Sequence, residues 1–150
     1  MKSRVEIEHQ LDNSIGFMLN VTSRRTRSLL QKRLNAAGLD YGAWFFLRIL
    51  WVEEGFTQRE LCERTALSQP TAAIALKKML RDDLVRLEPD PDDRRSYHVF
   101  LTDKARAMKR QLLKLSDETR KKETAGISER ELKQVRDVLR RIRANCDSID

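Results

Sequence analysis

Gln69, Ala73, Ile74, Lys77 and Lys78 recur at the three- and four-residue steps of one helix face, while Ala72, Ala75, Leu76 and Met79 fall on the opposite face. The second set suits packing, so the first is left for something outside the helix. Its chemistry is recognition rather than bond-making: a carboxamide for a base edge, methyl groups for thymine, ammonium groups for phosphate. A face meant only for water seldom carries an isoleucine. Further on, Arg94 and Arg95 close the run Pro89-Asp90-Pro91-Asp92-Asp93, whose prolines and aspartates demand a turn. Arginine favours a narrow minor groove, where negative potential concentrates. Bare carboxylates there would repel phosphate, so Asp90, Asp92 and Asp93 are expected to shape the turn and orient Arg94 or Arg95.

These groups need elements to hold them. Thr57 and Glu60 have the spacing of a capping box, with Phe56 placed to staple onto Leu61, and they open a short helix through Cys62 to about Arg64. Thr65-Ala66-Leu67 turns the chain. Ser68 is then an N-cap and Pro70 a first-turn proline for a helix over residues 69–82, which makes Ser68, Gln69, Pro70 and Thr71 its leading edge. Residues 84–88 and 96–101 read as two short strands joined by the turn. The pattern is a winged helix-turn-helix. Its expected DNA-binding set is Ser68, Gln69, Pro70, Thr71, Ala73, Ile74, Lys77, Lys78, Arg94 and Arg95, with Asp90 and Asp93 orienting the wing.

With these residues in view, the sequence resembles the MarR family of bacterial transcriptional regulators. Leu67-Ser68 with Thr71, Leu84-Val85, and the run DPDDRR followed by Leu101-Thr102 carry the resemblance, and it spans effectively the whole chain. Two positions depart from the family pattern. Asp83 stands where a glycine usually ends the recognition helix, and Ala105 where a glycine often follows Leu-Thr, so the helix end and the wing exit are open to local differences.

The flanks read as helices. One runs over about residues 10–37, with Leu11, Ile15, Met18, Leu19, Leu29, Leu30 and Leu34 on its buried side, and Gly38 ends it. Arg24, Arg25 and Arg27 on it are read as a solvated, ion-paired face, phosphate contact being the alternative. Asp40 caps a second helix to about residue 54 that gathers Tyr41, Trp44, Phe45, Phe46 and Trp51. Phe17, Tyr41, Trp44, Phe45 and Trp51 are the candidate ligand pocket, a dry packed hinge being the other reading. The resemblance implies small aromatic acids or phenols as occupants. Beyond the wing, Thr102 caps a helix carrying Ala105, Met108, Leu112 and Leu115, broken at residues 121–126. Ser128 and Glu131, stapled by Ile127 and Leu132, open a last helix striped by Leu132, Val135, Leu139, Ile142, Cys146 and Ile149. So narrow a seam wants a second helix, either a partner's or one of its own chain.

The resemblance implies a homodimer in which Val5, Ile7 and Leu11 at one end and Leu132, Val135, Leu139, Ile142 and Cys146 at the other meet the partner subunit. The expected architecture is mainly α with a small β-hairpin wing. Residues 38–102 form the DNA-binding lobe, and residues 1–37 and 103–150 the dimerisation region.

Composition fits this and excludes much else. Net charge is +7 at pH 7, yet residues 57–102 carry as many acids as bases, so DNA binding must rest on where charges point. No stretch is apolar enough for a membrane span or a secretory leader, and a cytoplasmic protein is expected. Cys62 and Cys146 have no metal-ligand spacing, and His9 and His98 no partners arranged for metal or triad chemistry. No nucleophile elbow or phosphate loop occurs, so an enzyme is not expected and no cofactor or metal is implied. Cys62 is expected buried and inert. Two readings stay beside the ligand-responsive repressor: a redox switch through Cys146, and a winged-helix module that binds protein.

Overall fold

A computed structural model describes residues 11, 13–65, 67–93 and 95–148. Helices α1 (Ile15–Ala36) and α2 (Tyr41–Leu50) lead to strand β1 (Phe56–Thr57), then helices α3 (Gln58–Thr65) and α4 (Gln69–Arg81). Strands β2 (Val85–Pro89) and β3 (Tyr97–Leu101) form the wing, followed by helices α5 (Asp103–Glu123) and α6 (Glu129–Asp147). The chain divides into two compact units, the boundary falling between Thr119 and Arg120.

Local chemistry accounts for most of these limits. Asp40 caps α2 by accepting the Ala43 amide at 2.8 Å. In the second unit Ser128 and Glu131 form the expected reciprocal box, Ser128 N donating to Glu131 at 2.8 Å and Glu131 N to Ser128 Oγ at 3.3 Å. These bonds hold the Glu131 carboxyl below its ordinary value, the Ser128 hydroxyl first. Thr102 caps α5 by accepting the Ala105 amide at 3.3 Å while its hydroxyl donates to Asp83 O at 2.8 Å. Ala105, where the family pattern often has glycine, is fully buried, so the wing exit tolerates its methyl.

Helix α1 begins at Ile15 rather than residue 10, because Ser14 is extended and its hydroxyl accepts the Phe17 amide. Helix α2 stops at Leu50 rather than residue 54. Its last carbonyls are taken up by Trp51, Val52 and Glu53, and Gly55, at φ +85°, then reverses the chain. That reversal makes Phe56–Thr57 a third strand, which the sequence reading missed. The sheet order is β1-β3-β2, all antiparallel, with Phe56 opposite Val99 and Thr57 opposite His98.

The core of the first unit joins Leu34, Trp44, Phe46, Leu47, Leu50, Leu61, Met79, Val99, Leu101 and Leu112, all at most 1% exposed. Of the side chains expected on the buried stripe of α1, Leu34 is buried and Leu30 packs against the core, whereas Ile15 is 60% exposed and Met18 44%. Leu11, Leu19 and Leu29 are exposed too. The periodicity had marked a face that this chain alone does not cover. In α6 no residue is buried: Leu132 and Ile142 are half-buried, and Val135, Leu139 and Cys146 exposed. Val138 is 49% exposed as well, so the apolar stripe is broader than the expected seam.

Candidate nucleic-acid interface

Helix α4 is held by both ends and by its floor. Ser68 caps it, accepting the Thr71 amide at 3.4 Å and sharing a 2.8 Å bond with the Thr71 hydroxyl, and Pro70 sits in the first turn. At the far end Leu84 N donates to Met79 O at 2.8 Å and Asp83 N to Leu80 O at 3.2 Å, with Leu84 and Met79 both buried. This is a Schellman closure. Asp83 occupies its left-handed position at φ +55°, so the aspartate adopts the conformation for which a glycine was expected. Beneath α4, Gly42 allows close approach: a Cβ there would lie 3.1 Å from Ala75 Cβ.

With Ala72, Ala75, Leu76 and Met79 buried, Ser68, Gln69, Pro70, Thr71, Ala73, Ile74 and Lys77 are all exposed, Ile74 to 71%. One expected contact needs correction. Lys78 is half-buried and its ammonium pairs with Asp40 at 2.9 Å, so it ties α4 to the start of α2 rather than standing ready for phosphate. The Gln69 carbonyl accepts the Cys62 thiol at 3.4 Å, which leaves its two amide N–H groups as the remaining donors. Cys62 is buried as expected, and burial pushes its thiol up, keeping the proton that makes this contact.

Helix α3 supports this arrangement through the expected Thr57–Glu60 box, with Thr57 N donating to Glu60 at 2.7 Å and Glu60 N to Thr57 Oγ1 at 3.3 Å. Those bonds, led by the Thr57 amide, lower the Glu60 carboxyl from its ordinary value.

In the wing, Asp90 Oδ1 accepts the Asp92 amide at 2.8 Å and the Asp93 amide at 3.2 Å, an Asx turn. Asp93 in turn accepts the Arg95 amide at 2.9 Å and lies 3.6 Å from its guanidinium. The Arg95 side chain is 93% exposed beyond these ties to Asp93. Arg94 lies outside the described residues, as do Val5, Ile7, His9 and Ile149. Sequence reasoning missed His98. Its ring joins Gly55 O at 2.7 Å and Asp90 Oδ2 at 3.0 Å.

Between α4 and the wing is a cleft of about 520 Å³, lined among others by Gln58, Arg59, Gln69, Arg95 and Tyr97. Gln58, Arg59 and Tyr97 went unremarked in the sequence. The signal for the first two was their place directly after the Thr57 cap, where a first helical turn faces outward.

A family model for the MarR family matches residues 37–96. A solved structure of the transcriptional regulator PA3341 is 33% identical, covers 90% of this chain and 99% of its own, and superposes with a TM-score of 0.78. The chain belongs to the MarR family. A solved MarR transcriptional regulator from Methanosarcina mazei Go1 is 26% identical with a TM-score of 0.79, covering 91% of this chain and 98% of that one. The HTH-type transcriptional regulator MgrA of Staphylococcus aureus is 26% identical over 136 residues, covering 90% of this chain and 91% of that protein. This MarR-family chain is therefore a transcriptional regulator of mainly helical, winged-helix fold.

The aromatic candidates of this MarR-family chain fall into pairs. Tyr41 and Phe45 pack edge to face at 4.9 Å, with the Arg27 guanidinium 4.7 Å above Tyr41, so one of the three arginines read as solvated is a stacking partner. Trp44, 1% exposed, packs edge to face on Trp51 at 6.0 Å, and Trp51 Nε1 donates to Ala105 O at 3.1 Å. Phe17 is 37% exposed. Trp51 lines a cavity of about 260 Å³ with Leu50, Glu54, Leu101, Arg106 and Lys109. Among the described residues no helix is long and apolar enough to cross a membrane, and no group of three or more His, Cys, Asp or Glu could hold a metal ion.

Proposed function

We propose that the chain acts as a homodimeric, ligand-responsive repressor of a pseudo-palindromic operator. Each α4 enters a major groove and each wing tip probes the flanking minor groove. The exposed α4 face and the exposed Arg95 on either side of one cleft carry this reading. Residues 1–37 and 103–150 pair the protomers, which covers the apolar faces of α1 and α6. Work on DNA puts the protein in the cytoplasm. Two-fold symmetry calls for half-site centres about 10 bp apart, one turn of the duplex. An effector, a small aromatic acid or phenol, acts near Trp51 and shifts the spacing of the recognition helices by its differential affinity for two states.

Selecting preferred duplexes from a random pool tests the operator, and challenging the complex with aromatic acids tests the effector. A pool that enriches no sequence overturns the DNA reading; release by no aromatic acid or phenol overturns the effector reading. Two substitutions separate positioning from reading. Arg95→Ala weakens binding to many sequences alike and lowers the slope of log affinity against log salt by about one unit; an unchanged slope removes the wing from the interface. Gln69→Ala relaxes preference at one base position by about 1–3 kcal/mol, read by competition among single-base variants of the selected duplex.

A further inference from the structure

His98 lies on β3, opposite Thr57 of β1 and Glu88 of β2. Its two ring nitrogens meet two acceptors: Nδ1 lies 2.7 Å from Gly55 O and Nε2 3.0 Å from Asp90 Oδ2. A neutral imidazole carries one N–H, so in either tautomer one nitrogen would turn a lone pair toward an oxygen lone pair. The imidazolium satisfies both acceptors. Asp90 is the residue whose other oxygen builds the wing turn, and that turn aims Arg95 through Asp93. Gly55 ends the reversal that starts β1 and α3. One ring thus ties the tip of the wing to the base of the helix-turn-helix.

We propose that His98, as an imidazolium bridging the Gly55 carbonyl and the Asp90 carboxylate, is the positioning residue that sets the wing tip against the helix-turn-helix. The consequence for DNA rests on the wing contacting the duplex, as proposed above. The charged groups that act on the ring are Asp90 and, from α3, Glu60, both favouring the cation, while its cross-strand neighbour Glu88 pairs with Arg86. The bond to Gly55 O, then that to Asp90, raises the His98 pKa above its ordinary 6.5 against partial burial. The Asp90 carboxyl is lowered from its ordinary 3.8, first by the Asp92 amide. A raised histidine contributes fully below 6.5 and loses its contribution as pH rises through the raised value. A lowered carboxylate contributes above 3.8 and fails as pH falls through the lowered value. The bridge therefore holds between the lowered Asp90 value and the raised His98 value, and opens as pH rises through the latter.

The test uses the full chain. In its free form the His98 ring is titrated by NMR while the Asp92 and Asp93 amides are followed. The ring should titrate above 6.5 and the two amides should move with the same midpoint. A ring that titrates at or below its ordinary value, or amides that ignore it, overturns the proposal. On the selected duplex, wild-type affinity should fall about tenfold as pH rises through the midpoint measured for the ring, the loss of one charge-assisted bond. His98→Gln should bind at the weak level with a flat profile, and Asp90→Asn should bind weakly too. Gln69→Ala should keep the wild-type pH slope, because its contact lies elsewhere. Wild-type affinity and slope in His98→Gln would overturn the proposal while leaving DNA binding intact. Should the wild type hold no duplex, the parent reading fails, and the free-chain titration still decides the bridge.

Discussion

Leu139→Glu is expected to turn the proposed dimer into a monomer and to lower affinity for a duplex carrying both half-sites by about 10²–10⁴-fold. Helix α6 has no buried residue, yet Val135, Val138 and Leu139 present a continuous apolar strip at 52, 49 and 39% exposure. Such a strip is stable in water chiefly when something covers it. At a two-fold seam one substitution acts twice, and each copy places an unpaired carboxylate where apolar surface was to be buried, which costs several kcal/mol per site. Loss of the dimer then removes the second half-site contact, whose contribution is effective concentration rather than new chemistry. Sedimentation equilibrium reads the first effect and duplex binding the second. Because the residue is exposed in the single chain, helix content should be retained. A Leu139→Glu protein that sediments as a dimer would remove α6 from the interface.

The second large effect is on folding. Trp44→Ala should destabilise the protein by about 3–5 kcal/mol, the range for deleting a large buried ring. Trp44 is 1% exposed, packs on Trp51, and has the Arg48 guanidinium 5.7 Å from its ring centre. Urea unfolding at fixed protein concentration measures the loss, since a dimer's apparent stability depends on concentration. A penalty below about 1.5 kcal/mol would mean that the ring borders a vacancy, which would favour the pocket over the packed hinge.

Residues that act within one helical turn were legible in the sequence. The Thr57–Glu60 and Ser128–Glu131 boxes, the Ser68 and Asp40 caps and the buried face of α4 depend on spacings of three and four residues, and chain connectivity alone brings those groups together. Contacts made by tertiary folding were not. Lys78 meets Asp40 from another helix, and His98 meets Gly55 across forty-three positions and Asp90 across the wing turn. The two-residue strand β1 exists only because Gly55 turns the chain beside Val99, which no propensity within Phe56-Thr57 announces. The apolar stripe of α1 is legible as a pattern, but within the single chain only its Leu30 and Leu34 end meets the core, since periodicity names a face without naming what covers it. The family's glycine at position 83 proved dispensable. Helix geometry and the Met79–Leu84 closure hold the left-handed turn, and aspartate adopts it with less strain than most residues.

The chain's two tryptophans stand edge to face at one place, and the N–H of Trp51 ends on the first turn of the long helix that leaves the wing. Their intrinsic emission is therefore a built-in optical gauge of that single joint. Any event that slides α5 against α2 should register as a spectral shift without an attached dye, whereas events confined to the wing tip should leave the spectrum unchanged.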